Sequence, residues 1–116
     1  MSAHEKINYV EIPASDLGAV KDFFTEVFAW KFSDYGSEYT AFKHSGLDGG
    51  FYKSDAQNRS DNGGALVVIF SENLQHTLDK VMQSGAKITK PIFKFPGGRR
   101  FQFLDPCGNE WGVWSL

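Results

Sequence analysis

The chain repeats itself once, and this internal duplication constrains its fold more strongly than any other feature of the 116 residues. At a shift of 56 positions, residues 9–17 align with 65–73, and in both copies a short apolar run leads into Ser and an acidic residue. At a shift of 62 positions, residues 46–52 align with 108–114, so the second copy carries six extra residues before its last strand. Two copies are too few for a solenoid, which needs at least three units. We therefore expect two modules that complete one another around a functional groove.

Hydrophobic periodicity predicts the same order of elements in each copy: strand, helix, strand, strand and strand. In the first copy, Pro13 is expected to end the opening strand, and Ser15 or Asp16 is expected to cap the helix. In the second copy, Met82 is expected to face inward and Gly85 to close the helix in a left-handed turn. The predicted elements are strands over 7–13, 30–32, 39–43 and 50–53 with a helix over 17–28, then strands over 66–70, 86–89, 99–104 and 110–115 with a helix over 73–84. The predicted fold class is α+β, with two βαβββ modules in tandem.

A polar segment over 54–64, which ends in two glycines, separates the copies and is typical of a linker. The length of the chain indicates a single domain over 1–116. Within it we predict module one over about 6–53 and module two over 65–116.

Composition argues against several classes of partner. The formal net charge is −2 and the basic residues are scattered, so we expect no nucleic acid and no anionic membrane as a partner. No apolar run approaches the roughly 18 residues needed to cross a bilayer, and the first residues lack a signal-peptide core, so we expect a cytoplasmic protein. A single cysteine, Cys107, agrees with a reducing compartment. Aromatic residues make up 16% of the chain, and this surplus favours the binding of a flat small molecule.

Three phrases, in order along the chain, resemble a known family. They are Glu11–Leu17 (EIPASDL), Phe23–Trp30 (FFTEVFAW) and Phe103–Glu110 (FLDPCGNE). Together with the doubled βαβββ order, they are similar to the vicinal oxygen chelate superfamily, which includes glyoxalase I, fosfomycin resistance enzymes, extradiol dioxygenases and bleomycin resistance proteins. The resemblance implies a cupped, mostly antiparallel eight-stranded sheet with helices on the outside, and it implies a homodimer.

The resemblance also implies where a divalent metal ion would be held. Enzymes of the superfamily take one ligand from the first strand and one from the last strand of each module, and the matching positions here are Tyr9, Leu66, Gly50 and Gly112. One phenol with one leucine and two glycines cannot supply the three or four donors of a catalytic metal site. We therefore predict no metal ion at these positions and no cofactor.

Three carboxylates share strand faces with these positions. Asp48 and Glu110 correspond in the repeat, and we expect both to lie at hairpin ends and reach solvent. Glu11 lies mid-strand on the same face as Tyr9, where we expect burial beside aromatic side chains. Burial raises the pKa of a carboxyl group, as a general base or a ligand anchor requires. Glu11 is therefore the candidate catalytic residue.

Glycine at two of the metal positions is expected to open floor space in a pocket walled by aromatic side chains, a composition usual for small-molecule sites. The alternative, that these side chains fill the space as ordinary core, stays open. Arg99 and Arg100 follow a predicted loop at Pro96-Gly97-Gly98, and Arg100 could hold an anionic group at the rim. The candidate ligand-binding residues are Tyr9, Glu11, Gly50, Tyr52, Leu66, Val68, Phe70, Arg100, Gly112 and Trp114.

Three functions remain open from the sequence. The first is a metal-free protein that binds a small apolar or aromatic molecule. The second is a lyase or isomerase of the glyoxalase type, with Glu11 as base or with an atypical metal site. The third is a dimeric interaction module without a ligand. Loss of the metal ligands argues against ordinary glyoxalase activity, because an enediolate needs a cation or equivalent donors. We therefore place binding first.

Overall fold

The computed structural model describes residues 4–116, which divide into a first unit ending at Ala56 and a second unit over Gln57–Leu116. Each unit contains one βαβββ module, so the predicted element order is confirmed. Within residues 4–116, neither helix is long and apolar enough to span a membrane.

The first unit forms a four-stranded mixed sheet in the order β1-β4-β3-β2. Strand β1 runs parallel to β4, and the other two pairings are antiparallel. The elements are β1 (Tyr9–Ala14), α1 (Leu17–Phe28), β2 (Lys31–Asp34), β3 (Tyr39–Lys43) and β4 (Asp48–Lys53).

The second unit repeats this topology in the order β5-β8-β7-β6, with β5 parallel to β8. Its elements are β5 (Val67–Phe70), α2 (Leu74–Gln83), β6 (Lys87–Phe95), β7 (Gly98–Leu104) and β8 (Glu110–Ser115), preceded by one 3₁₀ turn over Ser60–Asn62. The fold class is α+β as predicted, although the strands form two four-stranded mixed sheets instead of one sheet of eight.

The prediction that Pro13 ends the first strand is wrong. Strand β1 continues to Ala14, and Pro13 pairs with Tyr52 of β4. Proline lacks a backbone N–H, but β1 is an edge strand and therefore has a sheet neighbour on one side only. The edge position explains why the strand continues through the proline.

Aromatic side chains build the core between α1 and its sheet. Asp16 caps α1 by accepting a hydrogen bond from the backbone N–H of Ala19, at 3.1 Å. Phe24 of α1 is fully buried, with its ring stacked on Trp30 at 4.5 Å and near Phe51 at 5.6 Å. Much of the aromatic surplus of the sequence therefore stabilises this core and is not available to a ligand.

Helix α2 covers one face of the second sheet. Asn73 caps it by accepting from the backbone N–H of His76, and Gly85 follows its end with a left-handed φ of 87°. Leu74 and Val81 are buried, but Met82 is 56% exposed, so its predicted inward position is wrong. Met82 directly follows Val81, and at 100° per residue that step turns its side chain away from the sheet.

The phrase Asp-Pro-x-Gly-Asn forms the tight turn between β7 and β8. The buried carboxylate of Asp105 accepts from the backbone N–H groups of Cys107 and Asn109 and from the indole N–H of Trp111. Burial raises the pKa of Asp105 although these hydrogen bonds oppose the shift. Gly108 supplies the positive φ of 83° that the turn requires.

Residues within the predicted linker bond to this turn. The backbone N–H of Asn58 donates to the side chain of Asn109 at 2.8 Å, and Gln57 donates to the carbonyl of Cys107 at 3.2 Å. The segment is therefore tied to the second unit from Gln57 onward.

Candidate functional site

Each sheet has one face covered by its own helix and one face that this helix leaves uncovered, here called the first and second open faces. Side chains alternate between the two faces along each strand. Residues of the first open face include Tyr9 and Glu11 of β1, Tyr39 of β3, and Gly50 and Tyr52 of β4. Residues of the second include Val68 and Phe70 of β5, Arg100 and Gln102 of β7, and Gly112 and Trp114 of β8.

On the first open face, two tyrosine hydroxyls meet. The hydroxyl groups of Tyr9 and Tyr39 share a hydrogen bond of 2.6 Å. The ring of Tyr39 lies directly over Gly50, where an added Cβ would come within 2.1 Å of the Tyr39 hydroxyl oxygen. The expected open floor at Gly50 is therefore occupied by Tyr39, a residue that the sequence reasoning missed.

The same hydroxyl pair has an electrostatic consequence. Desolvation raises the pKa of Tyr39 most, and the Tyr9 hydroxyl and the neighbouring Glu11 carboxylate raise it further. Tyr39 therefore stays a neutral phenol that can donate a hydrogen bond. Glu11 itself is exposed, so the prediction that it is buried is wrong.

The residues at the family's metal positions do not fit a metal ion in either unit. The first unit offers one phenol, Tyr9, whose oxygen is already bonded to Tyr39, and the second offers Leu66 and Gly112, which have no side-chain donor. Among residues 4–116, no group of three or more His, Cys, Asp or Glu side chains is placed to hold a metal.

The second open face is more apolar. Val68 is 40% exposed and Phe70 49% exposed, and the ring of Phe70 contacts that of Trp114 edge-to-face at 5.0 Å. Gly112 lies between the side chains of Leu66 and Val68, each about 3.4 Å from where its Cβ would be. These distances are ordinary van der Waals contacts, so Gly112, unlike Gly50, is not covered by a ring.

A cavity of about 340 Å³ lies on this face, lined by Val68, Phe95, Gly97, Arg100 and Trp114. The loop expected before Arg100 is a two-residue hairpin, Pro96–Gly97, because β6 extends to Phe95 instead of ending near residue 89. The guanidinium carbon of Arg100 lies 5.1 Å from the ring centre of Phe93 and 5.5 Å from that of Phe95.

The expectation that Glu110 reaches solvent is wrong. It is only 7% exposed, whereas Asp48 is exposed as predicted. One carboxylate oxygen of Glu110 accepts from the backbone N–H and the hydroxyl of Ser60, and the other from Thr89 at 2.8 Å and Gln102 at 3.0 Å. Burial by itself raises the pKa of Glu110, but these hydrogen bonds outweigh it and lower the pKa from 4.5 to about 2.

The predicted site residues thus fall into two groups. Tyr9, Glu11, Gly50 and Tyr52 share the first open face, and most of the others share the second. Sheet register pairs Glu11 with Gly50 and Val68 with Gly112. The opening strands of the two units therefore correspond at a shift of 57 positions, one more than the shift of 56 in the sequence alignment. Phe95 was missed because β6 runs longer than its periodicity indicated.

The comparisons with known proteins agree with this architecture. A family model described as Glyoxalase/Bleomycin resistance protein/Dioxygenase superfamily matches residues 6–113. A search of curated protein sequences finds no match.

Several solved structures share the fold. The fosfomycin resistance protein FosX from Listeria monocytogenes superposes with a TM-score of 0.80 at 15% identity, covering 97% of this chain and 93% of its own. Lactoylglutathione lyase from Agrobacterium tumefaciens has a TM-score of 0.75 at 14% identity, covering 96% and 93%. A glyoxalase/bleomycin resistance protein/dioxygenase from Alicyclobacillus acidocaldarius has a TM-score of 0.73 at 18% identity, covering 100% and 95%.

Proposed function

Because the chain belongs to the glyoxalase/bleomycin resistance protein/dioxygenase superfamily, we propose that it binds a small apolar or aromatic molecule on its second open face, without a metal ion. The observation that supports this proposal is the cavity of about 340 Å³ beside Trp114. Its volume falls within the range of about 300–1,000 Å³ that is usual for small-molecule sites.

The chemistry of the walls supports the same class of ligand. Val68, Phe95 and Trp114 present apolar surface, and Arg100 is the one charged side chain among the residues that line the cavity. Apolar and aromatic walls with few polar groups are typical of ligand pockets. The ring of Phe70 adds an edge-to-face contact with the ring of Trp114 at 5.0 Å.

The binding proposal is tested by a thermal-shift screen of aromatic metabolites on the wild-type protein. A true ligand at a hundred times its dissociation constant adds about 2.7 kcal/mol to the free energy of unfolding. Trp114→Ala should reduce this gain, because it removes one wall of the cavity. Met82→Ala is the matched control, since Met82 is an exposed apolar residue outside the cavity. A screen without stabilising compounds, or equal gains in Trp114→Ala and wild type, would overturn the proposal.

The metal-free part of the proposal has its own test. Dialysed protein should contain no stoichiometric Ni, Zn, Mn or Fe by elemental analysis. Stoichiometric metal that a chelator removes would contradict it.

A second candidate function is a lyase or isomerase with Glu11 as base. The observation that favours it is the Tyr9–Tyr39 hydroxyl pair next to Glu11, because a neutral phenol can donate a hydrogen bond to a developing oxyanion. A lactoylglutathione lyase assay with and without added divalent metal tests it, with Glu11→Gln as the variant and the exposed Glu26→Gln as control. Activity that both variants retain equally would dismiss Glu11 as the base.

The proposed assembly is a cytoplasmic homodimer. Large side chains of both open faces, such as Tyr9 and Phe70, are 45% and 49% exposed, and a second copy could cover part of this surface. Sedimentation equilibrium should then give twice the mass of the chain. A monomer at micromolar concentration would contradict the dimer and also the alternative of a dimeric interaction module.

A further inference from the structure

We propose that the ligand of the second open face carries a carboxylate group and that Arg100 binds it. This inference rests on the proposed binding function and adds the chemical class of the ligand: a small monocarboxylic acid with an aromatic or apolar body.

The first observation is an unpaired donor. The Nε–H of Arg100 is buried and has no hydrogen-bond partner among residues 4–116. No carboxylate in that range lies within 4.0 Å of its guanidinium nitrogens. A buried donor without an acceptor destabilises a protein, and more so when the group is charged. An acceptor supplied by a ligand would remove this penalty.

The second observation is the way Arg100 is held. Its backbone lies in β7, an inner strand of the sheet, paired with Phe93 of β6 and Trp114 of β8. The rings of Phe93 and Phe95 flank the guanidinium group at 5.1 Å and 5.5 Å. The ring faces stabilise the cation, but they accept no hydrogen bond from the N–H groups that point outward in the plane of the guanidinium. The aromatic contacts therefore position the group and leave its planar fork of donors to an outside acceptor.

The third observation is the cavity on the same sheet face. Arg100 lines the same space of about 340 Å³ as Val68, Phe95 and Trp114, so an acid held by the guanidinium would place its body against apolar walls. Arginine binds carboxylates through two parallel N–H donors. Because Arg100 is the one charged residue of the lining, a singly charged carboxylate matches the site better than a doubly charged phosphate.

The inference is tested with two probes of the same shape, the anionic 2-naphthoate and the neutral 2-naphthamide, in which an NH2 group replaces one carboxylate oxygen. Their binding is measured by titration calorimetry on the wild-type protein and on Arg100→Gln, Arg100→Lys and Lys94→Gln. Lys94→Gln is the matched control, because it removes one positive charge from an exposed position of β6 outside the cavity. Thermal melting checks that each variant is folded.

We expect the wild-type protein to bind the acid roughly ten to a hundred times more tightly than the amide, as hydrogen bonds to charged groups imply. Arg100→Gln should lose this preference, Arg100→Lys should keep part of it, and Lys94→Gln should keep all of it. If Arg100→Gln does not fold, the Arg100→Lys result decides, and an undiminished preference there overturns the role of the arginine fork.

The inference and the proposed function fail in different ways. If acid and amide bind the wild-type protein equally, or if Arg100→Gln keeps the acid preference, the carboxylate inference is wrong while the binding function stands. If neither probe binds and no aromatic compound stabilises the protein, both are wrong.

Discussion

Tyr39 and Arg100 occupy equivalent positions in the two sheets, but their side chains meet different neighbours. Tyr39 pairs with Tyr52 of β4, and Arg100 pairs with Trp114 of β8. In the first sheet the phenol of Tyr39 lies over Gly50 of β4 and bonds to Tyr9. In the second sheet the guanidinium leaves the corresponding glycine uncovered and lines a cavity.

The difference follows from hydrogen-bonding capacity. A phenol is both donor and acceptor, so two tyrosines can satisfy each other on one face. A guanidinium has five donors and no acceptor, so Arg100 needs an oxygen that its own sheet does not supply. Two copies of one backbone topology therefore differ in chemistry, and the copy with the unpaired donor is the better candidate for binding.

The largest expected effect is a difference in the free energy of unfolding between variants of Glu110 and Asp48, the corresponding carboxylates of the two copies. Glu110→Gln should lower the free energy of unfolding at pH 7 by about 3 kcal/mol, because an amide nitrogen would face groups that now donate to the carboxylate. Asp48→Asn should change it by less than about 0.5 kcal/mol, since Asp48 is exposed. Urea denaturation of both variants measures the contrast.

The pH dependence of unfolding sharpens this contrast. The folded-state pKa of Glu110 is lowered to about 2, so its contribution is complete above pH 4.5 and is lost as the pH falls toward 2. The loss amounts to about 3 kcal/mol, because each tenfold change in proton affinity corresponds to about 1.4 kcal/mol. Glu110→Gln should lack this acid-dependent loss and Asp48→Asn should keep it. The same acid profile in both variants would show that Glu110 is not anchored as described.

The next effect compares the two glycines. Gly50→Ala should destabilise the protein by about 1–3 kcal/mol, because the new methyl group would collide with the phenol of Tyr39. Gly112→Ala should cost less than about 1 kcal/mol, because its methyl group would meet Leu66 and Val68 at contact distance. Thermal denaturation of the two variants gives the comparison.

A double variant identifies the cause. Tyr39→Ala combined with Gly50→Ala should be more stable than the sum of the single effects predicts, since the collision is then absent. Additive effects would mean that Tyr39 does not cover Gly50.

Local sequence patterns were sufficient to predict the order of the strands and helices. The strand and helix periods, the cap at Asp16 and the glycine at the end of α2 all depend on residues close together in the chain. The Asp-Pro-x-Gly-Asn turn is local in the same sense, because the bonds to the Asp105 carboxylate are made within seven residues from Asp105 to Trp111.

The details of the site depended on distant residues, and sequence reasoning missed them. The carboxylate of Glu110 is stabilised in its buried position by Ser60, 50 positions earlier, and Thr89, 21 positions earlier, which donate to it. Tyr39 covers Gly50 only because sheet register brings β3 against β4 with that alignment. The repeat indicated which positions correspond in the two units, but it could not predict which side chain packs over each glycine.

The smallest expected effect compares the residues that follow the two helices. Ala29 has a left-handed φ of 60° after α1, and Gly85 has a φ of 87° after α2. An L-residue in this conformation is strained by about 1–2 kcal/mol, so Ala29→Gly should relieve the strain and stabilise the protein by about 0.5 kcal/mol, after the larger entropy loss of glycine on folding. Gly85→Ala should destabilise it by about 1 kcal/mol for the same reason. Thermal melting of the two variants shows whether Ala29→Gly raises the melting temperature and Gly85→Ala lowers it. Destabilisation by Ala29→Gly would show that the left-handed backbone of Ala29 is not strained.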